Sequence, residues 1–250
     1  MKTEWDYTEL ADAYLKRPNY SESSIDQMLD ISGIKDKDRV CDIGAGVAHL
    51  TMLLAKRGFS VIAIEPNNEM RKRGIDRTLE YLNVAWVEAT AEETFQETSL
   101  FNLVTFGSSF NVVKRELALM EASRILKPGG WFACVWNHRD LLDPIQFAIE
   151  DFIKSSIKDY NYGSRREDQA HIIKSSGLFE QVNKIEAKVF HKQSIADCVG
   201  AWRSHCTLYR QAGEKFNDII SGIEKILFES GSREIIIPYI TCIWLAKVKK

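Results

Sequence analysis

The chain has 250 residues, 45% of them apolar and 27% charged. That is enough nonpolar material for one large domain or two small ones, and it excludes a disordered, collagen-like or coiled-coil protein. The 33 basic and 35 acidic residues are well mixed and leave a net charge of −2, so no basic surface recommends nucleic acid or an anionic membrane, and a small molecule is the expected partner. The five cysteines, Cys41, Cys134, Cys198, Cys206 and Cys242, are scattered and odd in number, which speaks against a disulfide framework or a zinc site and for a reducing, cytoplasmic setting. The start, Met1 to Asp6, has no apolar run, and the longest greasy stretch, Ile235 to Ala246, contains Pro238 and Thr241 and is too short to span a bilayer. No export signal is expected.

Residues 1–38 concentrate Tyr7, Tyr14, Arg17, Pro18 and Tyr20, which reads either as a lid or as aromatic packing of a leading helix. From residue 39 onward, β-branched runs predict strands over 39–43, 60–64, 84–88, 100–106 and 131–136. Helical spacing falls between them, over 47–56, 67–79 and 114–126, the last stopped by a turn at Lys127-Pro128-Gly129-Gly130. Such alternation marks a parallel sheet covered on both faces. Helices follow over 144–157 and 165–176, a strand over 182–191, helices over 195–209 and 215–228, and a final strand over 235–248. A helical insertion over 192–233, between the last two strands, implies a cap at the sheet end where open α/β sheets bind ligands. The organisation expected is a single domain over 1–250, with an N-terminal lid segment 1–38, a ligand-binding core 39–137 and that cap.

The central motif is Val40-Cys41-Asp42-Ile43-Gly44-Ala45-Gly46, a strand entering a G-x-G turn that opens a helix. Glycines there admit positive φ and let a ligand approach unpaired backbone N–H groups. Glu65 ends the second strand about twenty residues on, where a carboxylate accepts hydrogen bonds from a ribose diol. Asp42 stands two residues before Gly44, where a carboxylate would repel a pyrophosphate and suit a cation. The third glycine of a dinucleotide turn is replaced by His49. A ligand with a ribose, no phosphate and a positive charge is S-adenosylmethionine.

On these residues the chain resembles the class I S-adenosylmethionine-dependent methyltransferases of the small-molecule, type 11 kind, over most of its length. Asp42-Ile43-Gly44-Ala45-Gly46 matches the family turn that holds the methionine moiety. Glu65-Pro66-Asn67-Asn68-Glu69-Met70 is similar to the segment whose acid binds the ribose and whose methionine packs on the adenine. Ala89-Thr90-Ala91-Glu92 is similar to the loop along the adenine edge, and Leu126-Lys127-Pro128-Gly129-Gly130 to the structural turn before strand five. The resemblance implies an α/β, Rossmann-like, doubly wound and mostly parallel seven-stranded sheet of order 3-2-1-4-5-7-6, its last strand antiparallel. It further implies S-adenosylmethionine as cofactor, S-adenosylhomocysteine as product, and cofactor contacts from Tyr14, Arg17, Asp42, Gly44, Ala45, Gly46, Glu65, Pro66, Met70, Ala91, Glu92 and Ser108. Within the family, Tyr14-x-x-Arg17-Pro18-x-Tyr20, Ala201-Trp202-Arg203-Ser204 and Tyr239-x-Thr241-x-x-Trp244-x-Ala246-Lys247 resemble the trans-aconitate methyltransferase group. Phe110-Asn111 departs from the His-Trp common there, which puts a carboxylic acid acceptor in doubt.

The activity implied is methyl transfer to an oxygen, nitrogen or carboxylate of a small metabolite by in-line displacement, driven mainly by proximity and orientation. Gly107-Ser108-Ser109-Phe110 replaces the [DN]-P-P-[YF] of enzymes that modify DNA bases or glutamine. Tyr20, Phe110, Trp136, Asn137, Arg139, Trp202, Arg203 and Tyr209 are the expected acceptor contacts. Arg17, Arg139 and Arg203 offer forks for a carboxylate of cofactor or substrate, while Trp136, Trp202 and Tyr209 offer an aromatic wall. His138 and His205 are read as general bases or, alternatively, as capping or exposed histidines. No metal-ligand spacing is present, and a monomer or homodimer without nucleic-acid or membrane partners is expected. Two other readings are an NAD(P)-dependent oxidoreductase, opposed by Asp42 and the missing glycine, and an S-adenosylmethionine-binding regulatory protein without turnover.

Overall fold

The computed structural model describes residues 6–231 and 233–250; residues 1–5 of the expected lid segment and Ser232 of the expected cap lie outside them. Five strands, β1 (Arg39–Ile43), β2 (Ser60–Ile64), β3 (Val84–Val87), β4 (Phe101–Gly107) and β5 (Leu126–Arg139), run parallel. β6 (Phe179–Ser194) and β7 (Glu234–Val248) complete a seven-stranded sheet of order β3-β2-β1-β4-β5-β7-β6, with β7 antiparallel to both neighbours. The architecture expected from the resemblance is therefore present. The order reverses between β1 and β4, so the loops leaving their carboxyl ends part and open a crevice.

Helices α1 (Ala11–Tyr14) and α2 (Glu22–Ser32) precede the sheet, and α3 (His49–Ala55), α4 (Asn68–Thr78) and α5 (Arg115–Ile125) make the crossovers. Each start has a local cause where a side chain supplies the missing acceptor: Ser21 caps α2 and Asn67 caps α4. Pleating assigns each strand residue to one face. On β5, Phe132, Cys134 and Trp136 enter a core with Ile43, Phe106 and Phe110, while Ala133 and Val135 enter the opposite core with Val40, Leu50 and Leu103.

A third core lies beyond the sheet end. It joins α6 (Pro144–Ser156) to α8 (Ile195–Arg203), α9 (Cys206–Ala212) and α10 (Phe216–Glu229) through Ile149, Ile153, Trp202, Leu208, Ile220 and Ile223. The cap thus draws one helix from between β5 and β6 as well as those between β6 and β7. Two expected helices are broken. In place of one helix over 195–209, Ser204 and His205 separate α8 from α9, and His205 Nδ1 accepts the Leu208 N–H to start the second. In place of one over 165–176, a 3₁₀ turn, Gly163–Arg166, precedes α7 (Ala170–Ser175), because Asp168 Oδ1 accepts from Ala170 N (2.9 Å) and from the Trp244 indole (2.7 Å). Lys127-Pro128-Gly129-Gly130, read as a turn, is an irregular start of β5, where the register against β4 shifts between Phe101 and Leu103. Among the described residues no helix is long and apolar enough to cross a membrane.

The crossover helix α4 presses on the glycine turn. A Cβ on Gly74 would lie 2.2 Å from the Trp86 ring and 2.8 Å from the Gly46 carbonyl oxygen. An alanine ordinarily favours a helix interior over glycine by ~1 kcal/mol. Here overpacking prevails: Gly74→Ala is expected to destabilise by ~2 kcal/mol, lowering the thermal midpoint by roughly 4–8 °C. Calorimetry checks this, and an unchanged or higher midpoint would show that the contact yields freely.

Candidate functional site

The crevice is a cavity of about 710 Å³ at the carboxyl ends of β1, β2, β4 and β5, roofed by the N-terminal segment and the cap. At its centre the chain turns sharply after β1. Gly44 N and Ala45 N both donate to the Ile64 carbonyl (2.8 and 2.9 Å), which ties the turn to β2. Gly44 has φ +68°, and a Cβ there would meet Ser109 Cβ at 2.4 Å; Ser109 Oγ in turn donates to the Ile43 carbonyl (2.6 Å). Glycine is required by both conformation and space.

Two carboxylates stand at this turn. Asp42 is fully buried and accepts from Thr51 Oγ1 (2.6 Å) on α3 and Thr105 Oγ1 (2.9 Å) on β4. Glu65, at the end of β2, accepts from Gly46 N (2.9 Å) and Asn67 N (2.8 Å). Among the described residues neither forms an ion pair: the Arg71 guanidinium near Glu65 is directed to the Glu65 carbonyl oxygen and the Glu88 carboxylate. Burial accordingly pushes the Asp42 carboxyl up to about 6 and that of Glu65 up to about 7, against the pull of their hydrogen bonds.

All twelve residues expected to hold the cofactor border this cavity. Met70 and Pro66 flank Glu65, and the Met70 methyl would lie 3.2 Å from a Cβ on Gly46. Ala91 and Glu92 follow β3, where Glu92 Oε1 fixes the Lys114 N–H (2.8 Å). Ser108 pairs with the Tyr20 hydroxyl (2.9 Å). Arg17 lies over the Tyr14 ring, 3.9 Å from its centroid, and donates to Ser204 Oγ and O (both 2.8 Å), pinning the N-terminal segment to the cap. Of the aromatics in residues 1–38, Tyr7, Tyr14 and Tyr20 border the cavity, and Tyr20 also packs into the core beside Ile25 and Met28 of α2.

Of the expected acceptor contacts, Tyr20, Asn137 and Arg139 reach the cavity and five do not. Phe110 is fully buried against Phe106 and Phe132, with ring centroids 5.4 Å apart in each pair. Trp136 is likewise buried on Trp244, and Trp202 lies beneath the Arg139 guanidinium, 3.7 Å from its centroid. Arg203 is exposed outside the cavity, and Tyr209 is half exposed against Phe216. His138 does not border the cavity either. Strand parity explains the split along β5: Asn137 and Arg139 follow Val135 on the cavity side, whereas His138 follows Trp136 on the other. Of the two histidines read as bases, His205 borders the cavity, but burial and the surrounding arginines Arg165, Arg17, Arg139 and Arg166 push its pKa well below the ordinary value. It caps α9 as a neutral imidazole.

Sequence reasoning did not assign Arg165 or Tyr239 to the site; both border the cavity. Arg165 enters from the 3₁₀ turn and donates to the Asn137 carbonyl (3.2 Å). Asn111 borders the cavity while accepting the Trp136 indole N–H (3.0 Å). No group of residues suited to a metal ion occurs among the described residues.

Residues 41–134, which hold the glycine turn and both carboxylates, match the family model described as a methyltransferase domain. An uncharacterized methyltransferase of Mycobacterium tuberculosis is 33% identical over 127 residues, 50% of this chain and 48% of that protein. The ubiquinone/menaquinone biosynthesis C-methyltransferase UbiE of Vibrio campbellii is 31% identical over 132 residues, 50% of this chain and 51% of that one. The chain therefore spans about half the length of the curated relatives it matches. A Haemonchus contortus phosphoethanolamine N-methyltransferase, solved with phosphomonomethylethanolamine and S-adenosylhomocysteine, has the same fold at a TM-score of 0.58 and 14% identity, over 96% of this chain and 57% of that one. The resemblance to class I methyltransferases is thus met in its domain and in its fold.

The raised Glu65 pKa makes the protein's stability pH-dependent. The folded state holds this proton more tightly than the unfolded chain, so the contribution is complete below the ordinary value near 4.5 and is lost as pH rises through about 7. Glu65→Gln removes its share of the dependence and leaves that of Asp42. The melting temperature of the variant relative to the parent is expected to climb between pH 4.5 and 8 by roughly 5–10 °C, from ~3 kcal/mol. A difference that stays flat with pH would contradict a buried, unpaired Glu65.

Proposed function

We propose that the protein is a methyltransferase that binds S-adenosylmethionine in this cavity and transfers its methyl group to an oxygen or nitrogen of a small metabolite. The observation that carries the reading is the pair of buried carboxylates, Asp42 and Glu65, lying at a glycine turn, hydrogen-bonded but, among the described residues, in no ion pair. That donor set fits the cofactor: a carboxylate at the end of β2 suits a ribose diol, and negative charge at the turn suits a sulfonium. Both Asp42 oxygens are engaged by threonines, so Asp42 acts through its charge and not as a free acceptor. The same charge disfavours a dinucleotide pyrophosphate. His49, where a dinucleotide turn has glycine, is instead bonded to the Tyr14 carbonyl (2.9 Å) and to Asn19 (3.0 Å).

When bound, S-adenosylmethionine supplies a methyl group already activated by the sulfonium, so the protein's work is placement and exclusion of water. Glu65 and Gly46 would fix the nucleoside, and Met70 would cover the adenine. Tyr7, Tyr14 and Tyr20 form an aromatic roof over the cavity, held to the sheet through Asn137, which donates to the Asn19 carbonyl (2.9 Å). No histidine of ordinary basicity faces the cavity: His49 is lowered to about 4 by burial and the Arg77 charge, and His205 lies well below its usual value. Acceptors that are nucleophilic without a strong protein base are therefore favoured. The similar proteins include both carbon and nitrogen methyltransferases, so the acceptor atom is to be read from this cavity and not from the domain.

Titration calorimetry with S-adenosylhomocysteine tests the reading. One site is expected in the parent protein, with affinity at least about 30-fold weaker in Glu65→Gln, equivalent to ~2 kcal/mol for a lost charged hydrogen-bond acceptor. Equal affinity in the two proteins, or thermal stabilisation by NADH and not by S-adenosylhomocysteine, would overturn it.

A further inference from the structure

The cavity is electrically divided. Its acids, Asp42, Glu65 and Glu92, come from β1, β2 and the loop after β3, with Lys114 beside Glu92. Its arginines, Arg17, Arg139 and Arg165, gather at the β5 end, and among the described residues no carboxylate borders the cavity there. Arg139 stands on β5, two strands from β1 or about 10 Å at the usual strand spacing, and none of the three arginines is among the groups that shift Asp42 or Glu65. Among the described residues none of the three arginines forms an ion pair.

The same end is short of hydrogen-bond acceptors. Arg17 is satisfied by Ser204, but Nε of Arg139 and Nε of Arg165 are buried and donate to nothing, and the buried Tyr239 hydroxyl has no partner. His205 is asked to accept twice, at Nδ1 from Leu208 N (3.2 Å) and at Nε2 from Arg165 Nη1 (3.1 Å). A neutral imidazole has one accepting nitrogen, so one of these donors goes unmet. Clustered guanidinium charge with unmet donors is costly to hold in a half-buried site, and such a site is relieved by an anion that brings several oxygens at once.

We propose that the methyl acceptor is itself an anion, whose carboxylate or phosphate oxygens are taken by Arg139 and Arg165, with the Tyr239 hydroxyl as a further donor. The proposal deepens the methyl-transfer reading and rests on it. The indole of Trp202 beneath Arg139 and the Asn137 carbonyl bonded to Arg165 hold the two forks in place. Arg139 and Arg165 are thus specificity-determining residues for the acceptor and not for the nucleoside. The cavity volume, in the upper part of the ~300–1000 Å³ range of single-ligand pockets, leaves space beyond one small ligand.

The test is titration of the protein, saturated with S-adenosylhomocysteine, with succinate, inorganic phosphate and the neutral succinamide, in the parent and in Arg139→Gln, Arg165→Gln, Arg165→Lys and Arg203→Gln. Binding of succinate marks a carboxylate acceptor, and binding of phosphate a phosphorylated one. Either anion should bind at least tenfold more weakly to Arg139→Gln and Arg165→Gln, with Arg203→Gln unchanged and Arg165→Lys between. S-adenosylhomocysteine affinity should stay within twofold in every variant, which also reports that each is folded. Succinamide binding as strong as succinate, anion binding indifferent to Arg139 and Arg165, or no binding of either anion would overturn the proposal while leaving the nucleoside reading intact. A parallel fall in S-adenosylhomocysteine affinity would reassign the arginines to the nucleoside's own carboxylate and overturn it too. Failure of the parent to bind S-adenosylhomocysteine would remove the methyl-transfer reading and this proposal together.

Discussion

Two buried carboxylates that, among the described residues, form no ion pair are the constraint on which the rest of this structure turns. Asp42 draws Thr51 of α3 and Thr105 of β4 to the end of β1, so one side chain fixes the angle at which helix and neighbouring strand leave the glycine turn. Glu65 does the same for β2 by gathering the N–H groups of Gly46 and Asn67. Buried charge that is hydrogen-bonded but not ion-paired costs stability in the empty protein. A ligand carrying hydroxyl donors and positive charge recovers that cost. The polar network is therefore both a structural joint and a preorganised receptor.

Charge segregation extends the same logic along the cavity. A net charge of −2 with well-mixed acids and bases describes the surface, and it hides an interior whose acidic end faces one way and whose arginines crowd the other. The roof is fastened across this divide. His49 and Asn137 hold the N-terminal segment to the sheet, and Arg17 holds it to Ser204 of the cap. Placement of both reactants and exclusion of water consequently depend on contacts between residues far apart in the chain.

How much of this the sequence discloses follows from how local each determinant is. The strands, the glycine turn and the Glu65 segment were legible because each works through contiguous backbone, and a glycine where a Cβ would strike Ser109 leaves its mark in the sequence. The acceptor end was half legible. The alternation of β5 already separates Asn137 and Arg139 from Trp136 and His138. Phe110 looks like a pocket residue by its place after β4, yet it turns back into an aromatic cluster set by Phe106 of β4 and Phe132 of β5. Arg165 was beyond reach, because it enters the cavity only where Asp168, bonded to Trp244 of β7, breaks the helical pattern around it. His205 takes the second of its two readings, since it borders the cavity but is occupied as a helix cap.

The central claim is that an ionisable carboxylate waits at the glycine turn for a diol. It is tested most directly by the protons released when the nucleoside binds. Calorimetric titration with S-adenosylhomocysteine at pH 7, in two buffers of different protonation enthalpy, should show release of up to about half a proton, since Glu65 titrates near pH 7 in the ligand-free protein. That release should shrink in Glu65→Gln. Binding with no proton linkage, identical in parent and variant, would contradict the account.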